Sequence, residues 1–365
     1  MTKNDIERNK LLRLGIFELR NMARDLGVRS PTTLTKEVMI EKMLHIIRGE
    51  VDPYTPQSKR GRPPKNAYKE YDADESSSVA ILKQSTVNLE GIDQGTDVEV
   101  AGFVDGDENE WLVRFGLGNF YKPKSTFRIS KEQIVRHNLK PGDFVRGMAK
   151  VTPLVDMPVV VKVEEINGTA AAGHKLNAFD ELEIIEPFKP LNLPKLSTKA
   201  GARVVGFYQQ INESYNAFMR EIDKKEGFAK IFASIDCFPE EIVLAKGLVD
   251  TEVFYTTPEQ NSTEHLGLAQ FAINRAKALT SEGKDVLFVI NGVDRIIGHQ
   301  NLAAGKHLYD ISSLSFVKKL LATARQLKKG SITVIALCLT KQKHEFLDSV
   351  KVFLEAVVGE NIVIN

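Results

Sequence analysis

From Arg203 onward, five continuous apolar runs alternate with stretches of helical pattern, and this alternation constrains the fold more than any other feature of the chain. The runs are Val204–Tyr208, Ile231–Ile235, Val253–Tyr255, Val286–Ile290 and Ile332–Leu339. Unbroken apolarity, rather than apolar-polar alternation, is what a strand buried on both faces requires. Between the runs lie Ser214–Lys225, Pro239–Val249, His265–Ser281, Ser313–Gln326 and Glu345–Val357, which read as helices. Strand–helix alternation predicts a mostly parallel sheet with helices on both faces.

The preceding segments obey different periods. Leu12, Ile16, Leu19, Ala23 and Leu26 recur at spacings of three and four, as do Ile40, Met43, Leu44 and Ile47. Each set gives one apolar helix face. Gly27 is a stop for the first helix and Thr35 an N-cap for the second. Residues 51–78 carry Pro53, Pro56, Pro63 and Pro64, the basic cluster Lys59–Lys65 and an acidic, serine-rich stretch, and read as a disordered linker. Between Val79 and Asn167 five short strands are expected: Val98–Val104, Trp111–Phe115, Phe127–Ile129, Asp143–Ala149 and Val159–Val163. A helical turn or two lies at Ser130–His137. Five short strands with turns between them suit a small closed barrel.

Lys+Arg 49 against Asp+Glu 48 leaves a net charge of +1, so any case for nucleic acid rests on local charge. Two distant cysteines, Cys237 and Cys338, make neither a disulfide framework nor a zinc pattern. The N-terminus is too polar for a signal peptide. No apolar run approaches the ~20 residues needed to span a bilayer. A cytoplasmic protein without a membrane partner is expected.

Several stretches resemble the bacterial transcription termination factor Rho, a ring-forming, RNA-dependent ATPase. They are Leu14–Leu19 through Val28, the barrel segment Ile129–Asp143 with its L-x-x-G-D turn, and Val161–Asn167 followed by Phe179–Leu182. In the last part they are Ile235–Glu241, His265–Lys277 with Lys284–Ile290 and Asp294-Arg295, and Gly330–Ala336. The resemblance implies a multidomain α+β protein: a small N-terminal helical module (1–50), the linker (51–78), an OB-fold, cold-shock-like barrel (79–168), a connector (169–200) and a degenerate RecA-like α/β domain with a mostly parallel sheet (201–365), lacking its C-terminal part.

The same resemblance implies that ATP hydrolysis is lost. A P-loop needs glycines whose amides wrap the phosphates, a Lys for the β/γ-phosphates and a Ser/Thr for Mg²⁺. Here Asn212 stands for the last glycine and Glu213 for the lysine, and only Ser214 keeps its type. In a partly desolvated pocket, Glu213 is expected to repel a triphosphate by several kcal/mol. The strand-end acid that holds Mg²⁺ is Asn291, the catalytic carboxylate is Cys237, and the arginine finger falls beyond Asn365. Neither ATP nor Mg²⁺ is expected as a cofactor, and no catalytic or metal residue is assigned. Asp236 and Asp294 remain as substitute ligands, or as caps and turn residues. Cys237 reads as a reactive thiol or as a small apolar filler.

The expected nucleic-acid contacts are Arg60, Arg62, Lys65, Trp111, Arg114, Phe120, Tyr121, Arg128 and Lys306. Gly61-Arg62-Pro63 resembles an AT-hook core, narrow enough for an A·T minor groove, and reads equally as a linker touching phosphates. Trp111 reads equally as a stacking platform, worth ~1–3 kcal/mol per base, or as a half-buried core aromatic. Lys306 matches a channel lysine of the family. Single-stranded RNA is the expected partner, with DNA possible through residues 59–65. Association with Rho or with itself is a further expectation. Two other functions stay open: a weakly active RNA-dependent ATPase, and a non-catalytic protein that assembles with Rho.

Overall fold

The computed structural model describes residues 11–12, 14–54, 97–106, 110–114, 118–119, 126–151, 157–308, 310, 314–339, 345–358 and 360–364. Arg60, Arg62, Lys65, Phe120, Tyr121 and the basic stretch Thr340–His344 lie outside them. The chain divides into two compact units, Met1–Phe115 with Lys124–Lys175, and Gly116–Pro123 with Leu176–Asn365.

The first unit begins with helices α1 (Ile16–Asp25) and α2 (Lys36–Ile47). Leu19, Ala23, Leu26, Met39, Met43 and Ile47 meet in one apolar cluster, which buries the two predicted stripes. Leu12 is exposed and Leu11 takes the buried place, because the chain before α1 does not continue that helix's phase. Thr35 caps α2 by accepting from Val38 N. Lys36 Nζ donates to the Leu12 and Leu14 carbonyls at 2.9 and 2.8 Å.

Strands β1 (Asp97–Gly106), β2 (Trp111–Arg114), β3 (Thr126–Ile129), β4 (Phe144–Lys150) and β5 (Val159–Ile166) form the barrel, with α3 (Lys131–Arg136) after β3. The order is β3-β2-β1-β4-β5, and β3 pairs with β5 in parallel to close it. Val100, Val104, Val113, Phe127, Val145 and Val160 fill the interior. A Cβ on Gly147 would sit 1.9 Å from the Lys162 carbonyl oxygen, so only glycine lets β4 and β5 approach at this bulge. Asp143, from the L-x-x-G-D turn, accepts from Lys140 N (2.7 Å) and Asn167 Nδ2 (2.8 Å), while Asn167 Oδ1 accepts from Phe144 N (2.7 Å).

Residues 51–54 depart from the linker expectation. Pro53 is buried, Tyr54 N donates to the Gly27 carbonyl at 2.6 Å, and Asp52 N donates to Glu132 Oε2 at 2.8 Å. The Asp52 carboxylate accepts from the Ser130 hydroxyl and pairs with Arg136 at 3.0 Å. These long-range partners are what local proline content conceals.

The second unit holds β6 (Arg203–Tyr208), α4 (Glu213–Asp223), β7 (Ala229–Ser234), α5 (Pro239–Lys246), β8 (Thr251–Tyr255), α6 (Ser262–Ser281), β9 (Asp285–Asn291), α7 (Val293–Ala303), α8 (Ser315–Ala322), β10 (Ser331–Leu339), α9 (Glu345–Val358) and β11 (Asn361–Ile364). The main path of its sheet runs β11-β6-β10-β9-β7-β8 and on to Gly118–Asn119, with every pair along it parallel. All five predicted apolar runs are strands of this sheet. The predicted helix Ser313–Gln326 stops at Ala322. Arg325–Leu327 instead pairs antiparallel with Ser331 and Ile332 of β10.

Candidate functional site

In an open parallel sheet, ligands sit beyond the carboxyl ends of the strands. At that edge Tyr208 ends β6, Ser234 ends β7 and Asn291 ends β9. All three are buried. Buried polar groups need partners, and here they find one another. The Tyr208 hydroxyl donates to Asn291 Oδ1 at 2.7 Å, and Asn291 Nδ2 donates to Glu241 Oε1 at 2.5 Å and to Ser234 Oγ at 3.2 Å.

Glu241 comes from α5 and is only 3% exposed at its side chain. Its charge is met by Arg295 of α7, whose Nη2 and Nη1 donate to the two carboxylate oxygens at 2.8 and 3.1 Å. Arg295 Nη1 also donates to the Asp236 carbonyl at 2.5 Å. Burial works against the Arg295 charge, yet the hydrogen bonds and charge of Glu241 hold its pKa above the ordinary arginine value. Burial, chiefly, raises the Tyr208 phenol. α7 begins where Gly292 takes φ +87°, and a Cβ there would lie 2.8 Å from the Ile235 carbonyl oxygen.

The expected phosphate loop leads into α4. Asn212 is the N-cap of that helix and accepts from Tyr215 N at 3.0 Å. Glu213 points into solvent, 81% exposed, and pairs with Arg220. The several kcal/mol of repulsion expected from a desolvated carboxylate therefore do not apply, since water screens a charge so exposed. Tyr215, just after Ser214, is buried and packs against Tyr208 in a tilted arrangement, with ring centroids 4.7 Å apart and planes 46° apart. Cys237 is buried beneath the same corner, and burial with the Glu241 charge pushes its thiol up to about 12. That environment suits an inert filler rather than a nucleophile.

Asp236 has φ +51°, a left-handed conformation that aspartate adopts more readily than most residues other than glycine. Its amide donates to Thr256 Oγ1 at 3.0 Å. His299 Nε2 lies 3.3 Å from Asp236 Oδ2, and this hydrogen bond, opposed by burial, holds the carboxyl below its usual value. His265 is buried, with Nδ1 2.7 Å from Thr256 Oγ1, and burial lowers its pKa. The imidazoles of His265 and His299 stack with centroids 4.0 Å apart. Asp294, the other substitute ligand weighed from sequence, accepts from Leu339 N at 3.4 Å, and burial raises its carboxyl.

In the barrel, Trp111 is half-buried against the core. Arg114 Nε donates to Asp105 Oδ2 at 2.5 Å. Arg128 Nη1 donates to the Ile47 carbonyl at 2.5 Å, and its Nε lies 3.6 Å from Glu110. Lys306 is exposed, just past α7. The structure thus gathers Asn291 and Cys237 at one corner, and sets Asn212, Glu213 and Ser214 at the start of α4. It adds Tyr208 and His299, which carry no local motif, and Glu241 and Arg295, which end the Rho-like stretches Ile235–Glu241 and Asp294-Arg295.

A closed five-stranded barrel followed by an α/β unit with a parallel sheet defines a mixed α/β protein of more than one unit. No protein-family model matches the chain. Curated relatives do. The transcription termination factor Rho of Mycobacterium tuberculosis is 26% identical over 270 residues, which is 65% of this chain and 44% of that protein. Rho of Streptomyces coelicolor is 25% identical over 58% of this chain and 56% of its own length. Rho of Chromobacterium violaceum is 26% identical over 71% of this chain and 68% of its own. The chain is Rho-like. It spans less than half the length of the mycobacterial relative. Among solved structures, an ATPase of a type III secretion system aligns at TM-score 0.44 and 21% identity, over 51% of this chain and 58% of that one. An ATP synthase subunit, NeqB from Nanoarcheaum equitans, aligns at 0.43 and 16%, over 51% and 52%. Neither likeness is close enough to assign anything. Among the described residues no helix is long and apolar enough to cross a membrane.

Proposed function

We propose that the chain is a nucleic-acid-binding, Rho-like cytoplasmic protein that does not hydrolyse ATP. On this reading it modulates termination by occupying RNA or by joining Rho assemblies. The barrel acts as an OB fold, and the α/β unit is a RecA-like domain whose chemistry has been given up. One observation carries the reading. Asn291, where a Mg²⁺-binding acid is needed, is a neutral amide bonded to Tyr208, Ser234 and Glu241. Glu241, the nearest acid, is already neutralised by Arg295. A phosphoryl-transfer site whose strand-end acid is an amide, with the carboxylate beside it paired to an arginine, lacks the part that offsets phosphate charge.

The test uses the full chain. A coupled ATPase assay with poly-pyrimidine RNA and calorimetry with ATP and Mg²⁺ are expected to show neither turnover nor binding heat. Single-stranded RNA at low salt is expected to bind and to quench Trp111, the only tryptophan. Turnover above background removes the loss of catalysis, and silence toward both RNA and DNA removes the binding role.

A second reading is favoured by Arg114 and Arg128, whose guanidiniums are engaged within the first unit. In that reading the chain assembles with Rho without touching nucleic acid. Mass photometry of the chain alone and with Rho separates the two.

A further inference from the structure

We propose that Asp236, His265 and His299 form a binding site for a divalent transition-metal cation of the Zn²⁺ class. The inference stands apart from the fate of the nucleotide site. The donors come from three places: the turn after β7, the first turns of α6 and the middle of α7. One ligand atom from each lies within 4.8 Å of the others. Two imidazole nitrogens and a carboxylate are a donor set that borderline divalent ions prefer over Mg²⁺ or Ca²⁺, and three protein ligands leave a position for water.

The surroundings favour a ligand set over a chance meeting of polar side chains. A metal-binding histidine needs its second nitrogen held, so that the lone pair of the first is aimed. Both rings meet this condition at Nδ1: His265 against Thr256 Oγ1 at 2.7 Å and His299 against Ser262 Oγ at 3.1 Å. Nε2 of His299 then meets Asp236 Oδ2 at 3.3 Å, a hydrogen bond that a bound ion would replace. The Asp236 backbone is fixed by the hydrogen bond from its N–H to Thr256 Oγ1 and by the Arg295 contact to its carbonyl. Access is open from one side, since the Asp236 and His299 side chains are 28% and 14% exposed. The stacked rings need one adjustment. An ion bound in the plane of both imidazoles requires the His299 ring to turn about its side-chain bonds while Nδ1 stays within reach of Ser262 Oγ.

The test is titration of the chelator-stripped full chain with Zn²⁺ by calorimetry and with Co²⁺ by visible spectroscopy. One equivalent is expected to bind, giving Co²⁺ d–d bands without a thiolate charge-transfer band, and Zn²⁺ is expected to raise Tm. Asp236→Asn and His299→Ala, both at partly exposed positions, are expected to abolish the stoichiometric uptake and the Tm shift. Ser262→Ala, which removes only the support for His299, is expected to weaken binding about 10–100-fold. His307→Ala, at an exposed histidine outside the cluster, is expected to change nothing. No uptake by the native chain, uptake surviving in both ligand variants, or a thiolate band pointing to Cys237 would each overturn the assignment.

Discussion

The hydroxyl of Tyr208 and the side-chain carbonyl of Asn291 are hydrogen-bonded at 2.7 Å across the intervening strand β10. This bond ties the end of β6 to the end of β9, and the same amide binds Glu241. Asn291→Asp, the change that restores a metal-binding acid, puts a second carboxylate against Glu241 in a buried setting. Uncompensated buried charge costs about 3–5 kcal/mol. The urea midpoint of the second unit, followed by far-UV circular dichroism, is expected to fall accordingly, and ATP binding is not expected to appear.

Glu213 supplies the contrasting case. Its exposed pair with Arg220 belongs to a class of ion pairs worth about 0–1 kcal/mol. Glu213→Ala is expected to leave stability within about 1 kcal/mol of the native chain. Glu213→Lys is not expected to confer ATP binding in calorimetry, because Asn212 still caps α4 and Asn291 stays neutral.

Arg275 and Glu252 form a fully buried bidentate pair, both contacts 2.8 Å, between α6 and β8. Removing one partner strands the other charge. Glu252→Ala is therefore expected to cost about 3–5 kcal/mol, while Arg275→Met with Glu252→Leu is expected to come close to native stability. Urea unfolding of the three proteins checks the inequality.

Asp52 gives a pH signature. Burial, the largest influence, outweighs the Ser130 hydrogen bond and raises its pKa above the ordinary 3.8. The folded state thus disfavours the charged form relative to the unfolded chain. Asp52 therefore weakens the fold at pH above its raised value, and the penalty fades as pH falls toward 3.8. Asp52→Asn is expected to lack this dependence. Urea midpoints of the two proteins, read through Trp111 fluorescence, are expected to converge in slope above the window and to differ within it.

The parallel sheet was legible because its strands are unbroken apolar runs, a pattern few other structures need. α7 has no such signal: it starts at a left-handed glycine with no side-chain cap, directly after a strand, so nothing in the local pattern separates the two. Arg325–Leu327 was absorbed into a helix because its strand character comes from pairing with β10 rather than from its own period. At the site, Asn291 and Cys237 could be found because they stand where the Rho resemblance expects acids. Glu241 and Arg295 stand in stretches that resemble Rho, but neither their pairing nor the place of His299 has a local signal. Their partners lie 54 and 63 residues away in sequence, and only the fold brings them together.

The Asn212 cap has a consequence for how such a subunit responds to its surroundings. A helix start with free amides is a natural anion receptor. Here one of those amides, Tyr215 N, is met by the tethered Asn212 side chain, which a dissolved anion would have to displace. If, as proposed, the chain does not respond to ATP, a partner that it joins acquires a component that does not cycle.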